Sequence, residues 1–295
     1  MRVAIAQVDG KWPNLALAKL AAHHSAQGHD VAVFEPLFTD TYDIVYASKV
    51  FVDTPDNAYI PDWATRGGIG YDPASELDGG VEDGQPDWTL WPDWSYDMGF
   101  TTRGCVRRCG FCYVPRKEGH IRVVAQLGDI WTGRRDIYLL DNNATAAPID
   151  HFRRVCRDAS EFGVRLSFCQ GLDARLLTDE HAAILADTPL FTPVYMAFDN
   201  MADESHVRRA VDLLAQAGVR PGRVMVYVLT GYNTTPDEDR YRVELLRGLG
   251  CDPFAMRYDR HDRYQMDFAR WVNRKELFKS CTFEDYTRRL GRAMA

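Results

Sequence analysis

From residue 97 onward, strand-like and helix-like segments alternate through six units, and this alternation limits the fold more than any other feature. The strand-like runs are 97–102, 136–141 (DIYLLD), 165–169 (RLSFC), 193–198 (PVYMAF), 224–229 (VMVYVL) and 253–258 (PFAMRY). Helix-like stretches fall between them near 122–132, 149–161, 178–187, 203–217 and 236–248. Thr178-Asp-Glu and Thr235-Pro-Asp-Glu make sound helix starts, because a hydroxyl caps the first turn and acidic residues meet the positive end of the helix dipole. Repeated βα units call for a parallel sheet with helices outside. Six units are two short of a closed eight-fold barrel, which leaves a partial barrel or an open sheet.

A smaller α/β unit precedes this series. Val3–Val8, His29–Phe34 and Asp43–Ala47 read as strands, and Pro13–Gln27 reads as a helix with Leu15, Leu17, Leu20 and Ala21 at helical spacing. Residues 53–95 are rich in Gly, Pro and Asp, with GGIGYD at 67–72 and WTLWPDW at 88–94. They read as an irregular surface connector, pinned to a core by Trp63, Trp88, Trp91 and Trp94. The expected organisation is a unit over 1–52, a connector over 53–95, a core over 96–259 and a helical extension over 260–295.

Charge follows the same division. Of 35 basic and 42 acidic residues, the first 100 positions hold five and 16, net −11, which leaves residues 101–295 at net +4. An acidic flank beside a mildly basic core can steer an anionic substrate inward, although ordinary solvated surface accounts for the same balance. An apolar content of 46% excludes a collagen-like or wholly disordered chain. No run of 18 apolar residues predicts a membrane span, and MRVAIAQVDG reaches Lys11 and Pro13 before any signal-like core. A soluble, cytoplasmic chain is expected. Seven cysteines, an odd number in a chain of this length, fit a reducing compartment.

Three of the seven lie in TTRGCVRRCGFCYVP, 101–115, as Cys105-x3-Cys109-x2-Cys112. Three thiolates on one short loop suit a soft metal centre, zinc or iron–sulfur, and leave one coordination position vacant. His120 is the nearby residue able to close a zinc site. Cys156, Cys169, Cys251 and Cys281 are isolated and read as structural thiols.

The cysteine spacing, with Phe111 before the last cysteine and the loop after the first of six βα units, resembles the signature of the radical S-adenosylmethionine superfamily. The resemblance implies an α/β fold, a partial (β/α)6 barrel with a small N-terminal α/β unit. It also implies one 4Fe–4S cluster held by Cys105, Cys109 and Cys112, its open iron chelating the amino and carboxylate groups of S-adenosylmethionine. An electron donor such as flavodoxin or ferredoxin would drive cleavage of the sulfonium C–S bond, giving methionine and a 5′-deoxyadenosyl radical. That radical abstracts hydrogen from an unactivated substrate carbon, with the cofactor supplying the hard chemistry. The matching positions place Phe111 and Tyr113 beside adenine. They place Asp141, Asn142 and Asn143 at the methionine amino group, where the superfamily often carries Gly-Gly-Glu. Gln170 and Arg175 of CQGLDAR would reach the ribose or the carboxylate, and Gly231 of YVLTGYN would let backbone approach adenine.

Residues 1–52 look like a shortened form of the cobalamin-binding domain found ahead of many such cores. The Asp-x-His-x-x-Gly segment that supplies a cobalt ligand is missing, and His23, His24 and His29 do not fit it. Cobalamin is not expected. RGCVRRCGFCYVPRKEG also resembles the cluster loop of tRNA methylthiotransferases, but no cysteine precedes Cys105 to hold their second cluster. Residues 260–295 carry nine basic and five acidic residues, with Tyr264, Phe268, Trp271 and Phe278 interleaved. Basic and aromatic residues together suit nucleic acid, whereas Phe268, Trp271, Lys275 and Phe278 also share one helical face. With Arg103, Arg107, Arg108, Arg116, Lys117 and Arg122 around the cysteines, the substrate reading leans to a nucleobase or nucleotide. Two alternatives stand beside the leading one: a cobalamin-dependent radical methyltransferase, and a non-catalytic zinc or iron–sulfur binding module.

Overall fold

The structure, a computed structural model, describes residues 1–291. It is a mixed α/β protein with parallel sheets, in two compact units. The first holds Met1–Gly99 and Gly128–Arg134; the second holds Phe100–Leu127 and continues from Arg135.

In the first unit, β1 (Arg2–Gln7), β2 (Asp30–Val33), β3 (Ile44–Ser48) and β4 (Thr65–Gly67) form a parallel sheet in the order β2-β1-β3-β4. Helix α1 (Leu15–Ala26) starts on Asn14, whose side chain accepts from the Leu17 amide. β1 is apolar on both faces, as buried parallel strands are. Val3 and Ile5 pack with Leu17 and Ala21, while Ala4 and Ala6 pack with Phe34, Val45 and Ile60. His24 is buried, its Nδ1 2.9 Å from His29 Nδ1 and its Nε2 3.1 Å from the Tyr46 hydroxyl. The connector contains a single helical turn, α2 (Gly79–Glu82), and leads to β5 (Asp97–Gly99). Trp88 is buried and its indole donates to Asp97 (3.1 Å), so it pins the connector as expected. Trp91 and Trp94 are half-buried. Trp63 does not pin anything: it is 53% exposed, because the Pro61-Asp-Trp turn points it outward.

The second unit opens with β6 (Thr102–Arg103), α3 (Val114–Lys117) and β7 (Arg122–Val123), and the chain then passes through α4 (Leu127–Ile130), most of which belongs to the first unit. A helix over 122–132 is not formed. β7 pairs antiparallel with β6, and only the single turn of α4 follows. The β-branched pair Val123-Val124 prefers extended backbone, and Gly128 weakens a helix at its centre. Beyond it the alternation holds: β8 (Asp136–Leu139), α5 (Ile149–Phe162), β9 (Arg165–Phe168), α6 (Asp179–Asp187), β10 (Val194–Ala197), α7 (Glu204–Gln216), β11 (Val224–Thr230), α8 (Pro236–Gly248) and β12 (Asp252–Arg257). β8 and β9 pair in parallel, as do β10, β11 and β12. Isolated bridges Leu166↔Leu190 and Leu172↔Met196 join β9 to the β10 side.

Burial alternates along the strands: Val194 and Met196, then Val224, Val226 and Val228, are buried, while Tyr195, Met225 and Tyr227 are half-exposed on the opposite face. α8 begins with a complete capping box between Thr235 and Glu238. Its Arg242 is fully buried and donates to Phe198 O (2.6 Å) and Leu229 O (2.8 Å), fixing the helix to the ends of β10 and β11.

The C-terminal segment folds as α9 (Arg263–Asn273), α10 (Lys275–Ser280) and α11 (Phe283–Arg289). Phe268, Trp271, Phe278 and Phe283 are buried and pack ring to ring. The chain turns at Arg274, so Lys275 leaves that face and pairs with Asp252. These aromatics form core and offer no stacking surface to a nucleic acid. The Asn273 amide bonds both the N–H (2.8 Å) and the C=O (3.0 Å) of Ala255, which blocks further pairing at that point of β12. Among the described residues, no helix is long and apolar enough to cross a membrane.

Candidate functional site

The cysteine loop lies between β6 and α3 and is held by the segment that follows β8. Asp141 is buried and accepts from Thr101 N (2.6 Å), Thr101 Oγ1 (2.5 Å) and Thr102 N (3.0 Å). Burial pushes its carboxyl up against the pull of those bonds. Asn142 Oδ1 accepts from Gly104 N (2.9 Å), and Cys105 N donates to Gly119 O (3.1 Å). Asp141 and Asn142 thus spend these polar atoms on the backbone that leads into the loop. Gly104 has φ +84°, and a Cβ there would stand 2.2 Å from His120 O. Gly104→Ala is therefore expected to cost about 2 kcal/mol in urea unfolding, from left-handed strain and a clash with backbone.

Cys105, Cys109 and Cys112 are all half-buried and unpaired. Cys105 Sγ accepts from Arg107 N (3.3 Å) and from Asn143 Nδ2 (3.5 Å). The Cys112 amide donates to Cys109 O at 3.0 Å, which folds the x2 spacing into a turn. Burial pushes the Cys109 thiol up; Arg175 pulls against it, and Cys112, Asp199 and Cys105 add to the rise. Burial also pushes Cys112 up, with Cys105 and Asp199 contributing after a backbone bond that opposes them. Cys109 and Cys112 thus both feel the Cys105 thiol and the Asp199 carboxyl. Among the described residues, no three His, Cys, Asp or Glu side chains converge as ligands of a single metal ion.

Asp173, after β9, ties the loop to its surroundings. Its carboxylate accepts from Arg107 Nε (3.0 Å), Arg175 Nε (2.7 Å), Arg175 Nη2 (3.2 Å) and Asn143 Nδ2 (3.4 Å). Its amide donates to Thr145 Oγ1 (2.9 Å). Burial works against this charge, but the two arginines outweigh it and hold the carboxyl below the ordinary range. Arg175 also reaches Asp203 (3.3 Å), so it serves a structural ion-pair network here, close enough to Cys109 to act on it. Asp199, after β10, accepts one long bond from Leu229 N (3.4 Å) and is pushed up by burial.

The remaining expected positions divide. Phe111 meets Tyr232 edge-on, ring centroids 5.2 Å apart, which joins the cysteine loop to the segment after β11. Gly231 lies beside Tyr232 with φ +77°, and a Cβ there would stand 2.1 Å from Gln265 Nε2. The close approach that requires glycine is thus made by Gln265. Tyr113 and Gln170 are exposed. The structure groups Asn143, Phe111 and Arg175 with the cysteines. It adds Asp173, Asp199 and Tyr232, to which no individual role was expected, and it turns Arg107, expected to face the substrate, onto Asp173. The available signal was charge: CQGLDAR sets a carboxylate two residues before Arg175. Of the other loop cations, Arg103 pairs with Glu118 (2.9 Å), while Arg108, Arg116 and Arg122 are exposed. Compared with protein-family models and with curated proteins, the chain matches none.

Proposed function

We propose that this chain is a radical S-adenosylmethionine enzyme, with the second unit a partial (β/α)6 barrel. The observation that carries the reading is the meeting of three thiols on the loop after β6 with Asn143, Asp173 and Asp199, which lie beyond the carboxyl ends of the parallel strands β8, β9 and β10. The donor set fits a 4Fe–4S cluster: soft ligands on one loop, with N–H groups already aimed at Cys105. Such a cluster takes one thiolate per iron, so its ligands surround a volume and need not converge on a point. When bound, the cluster and S-adenosylmethionine supply reductive C–S cleavage and a carbon radical.

The chain's own residues set the conditions. The Arg107 backbone N–H and the Asn143 amide hold the Cys105 sulfur, and Asp173 holds the Arg107 side chain and the same Asn143 amide. Asp199, desolvated beside Cys109 and Cys112, is placed to accept from an ammonium group. Asn142 and Asp141 keep the loop entry rigid. Exposed Arg108, Arg116 and Arg122 offer a positive surface to an anionic electron donor or to substrate phosphate. The nucleobase or nucleotide reading now rests on that loop alone, since the C-terminal aromatics are core.

Anaerobic reconstitution tests the proposal. It is expected to give about four irons and four sulfides per chain, with absorbance near ~400 nm. About one zinc with neither iron nor sulfide would favour the non-catalytic binding module. Retention of methylcobalamin after desalting would favour the cobalamin-dependent methyltransferase.

A further inference from the structure

We infer that the strand face opposite the helices is a binding wall for a planar, uncharged aromatic ring of the substrate. Parallel strands are normally covered on both faces. Here β12 leaves Phe254 38%, Met256 37% and Tyr258 53% exposed. Their spacing by two puts all three on one face, and Tyr258 continues the ladder through its N–H to Thr230 O (3.2 Å). None carries a charge.

The same face continues sideways as a row of rings. Tyr227 meets Phe254 edge-on at 5.9 Å, and Tyr195 stacks on Tyr227 at 5.3 Å with 5° between planes. Tyr227 is fixed by a hydroxyl bond to Cys169 O (2.9 Å). Upward, Tyr258 meets Tyr232 at 4.8 Å, and Tyr232 meets Phe111 of the cysteine loop at 5.2 Å. Two runs of aromatic side chains, Tyr195–Tyr227–Phe254 and Tyr258–Tyr232–Phe111, thus follow one another on this face with Met256 between them and end at the cysteine loop.

Edge and face contacts at these distances select flat rings over saturated ones of equal size. Aromatic walls also take cations, but the net positive charge of residues 101–295 works against a cation, and none of Phe254, Met256, Tyr258, Tyr227 and Tyr195 offers a charge to pair with an ion, so a neutral ring is the occupant. The wall's part in catalysis rests on the proposed function; the binding itself does not. A ring carried along Phe254, Met256 and Tyr258 would arrive beside the cysteine loop.

Saturation-transfer NMR on the full chain, without reductant, tests this with 2-naphthol and its saturated counterpart decahydro-2-naphthol. Wild type is expected to transfer at least about fivefold more strongly to 2-naphthol, the margin that ring stacking supplies. Phe254→Ala with Met256→Ala is expected to lose that preference while retaining iron as wild type does. Phe254→Leu, which keeps apolar volume, serves if the double variant does not fold, and it too should lose most of the preference. Equal transfer to both probes, or undiminished 2-naphthol transfer in the folded variants, overturns the inference. A protein that prefers 2-naphthol yet takes up no iron would refute the cluster and leave the wall standing.

Discussion

A chain with Cys105, Cys109 and Cys112 all replaced by alanine is expected to leave anaerobic reconstitution with about a tenth or less of wild-type iron. Its unfolding free energy without iron should change by no more than about 1 kcal/mol, because all three thiols are partly exposed on a loop. That pairing separates ligand loss from misfolding. Cys156→Ser and Cys251→Ser serve as controls and should leave iron content unchanged. Burial pushes their thiols up to about 12 and about 11, as expected of side chains buried in apolar surroundings. Uptake should also depend on pH in a defined sense. Cys109 and Cys112 sit above the ordinary thiol range, so binding iron must release their protons, and uptake should strengthen as pH rises.

Asp173→Ala is expected to lower stability by about 3 kcal/mol, since it strands Arg107, Arg175 and the Asn143 amide together. The figure sits at the low end for a buried pair because both arginines keep some contact with water. Urea unfolding at pH 7 measures it, and iron content should fall in parallel as the loop loses its anchor. The carboxyl is depressed below its ordinary 3.8. Its contribution is therefore complete above that value and is lost as pH falls through the lower one. The gap between wild type and variant should accordingly narrow below about pH 3.8. Asp173→Asn, which keeps the shape without the charge, should fall between the two.

Secondary structure was legible where periodicity and caps agreed. Helix α8 begins at the Thr235 box and β11 covers the VMVYVL run, because each is set by neighbours in sequence. The 122–132 segment was not legible. Its valines favour a strand only when a partner is at hand, and β6 supplies that partner from 20 residues upstream. The site shows the same limit. Cys105, Cys109 and Cys112 announce themselves by spacing along one loop. Asp173 does not, because its role comes from arginines 66 and two residues away and from an amide 30 residues away. Gly231 illustrates the reverse case: its need for glycine was plain, but the group crowding it is Gln265, on a helix of its own. Trp63 and Trp88 both follow a Pro-Asp pair, yet Trp88 is buried with its indole on Asp97 while Trp63 stands exposed, a difference that neighbours in sequence do not carry.

The proposed chemistry requires the three thiols of this loop to support cleavage of S-adenosylmethionine. The most direct measurement is 5′-deoxyadenosine released when the reconstituted protein meets S-adenosylmethionine and dithionite without oxygen. Wild type is expected to release it, and the triple alanine variant to give none above background. Equal release by that variant, or none from a wild-type protein that holds its iron, would contradict the proposed chemistry.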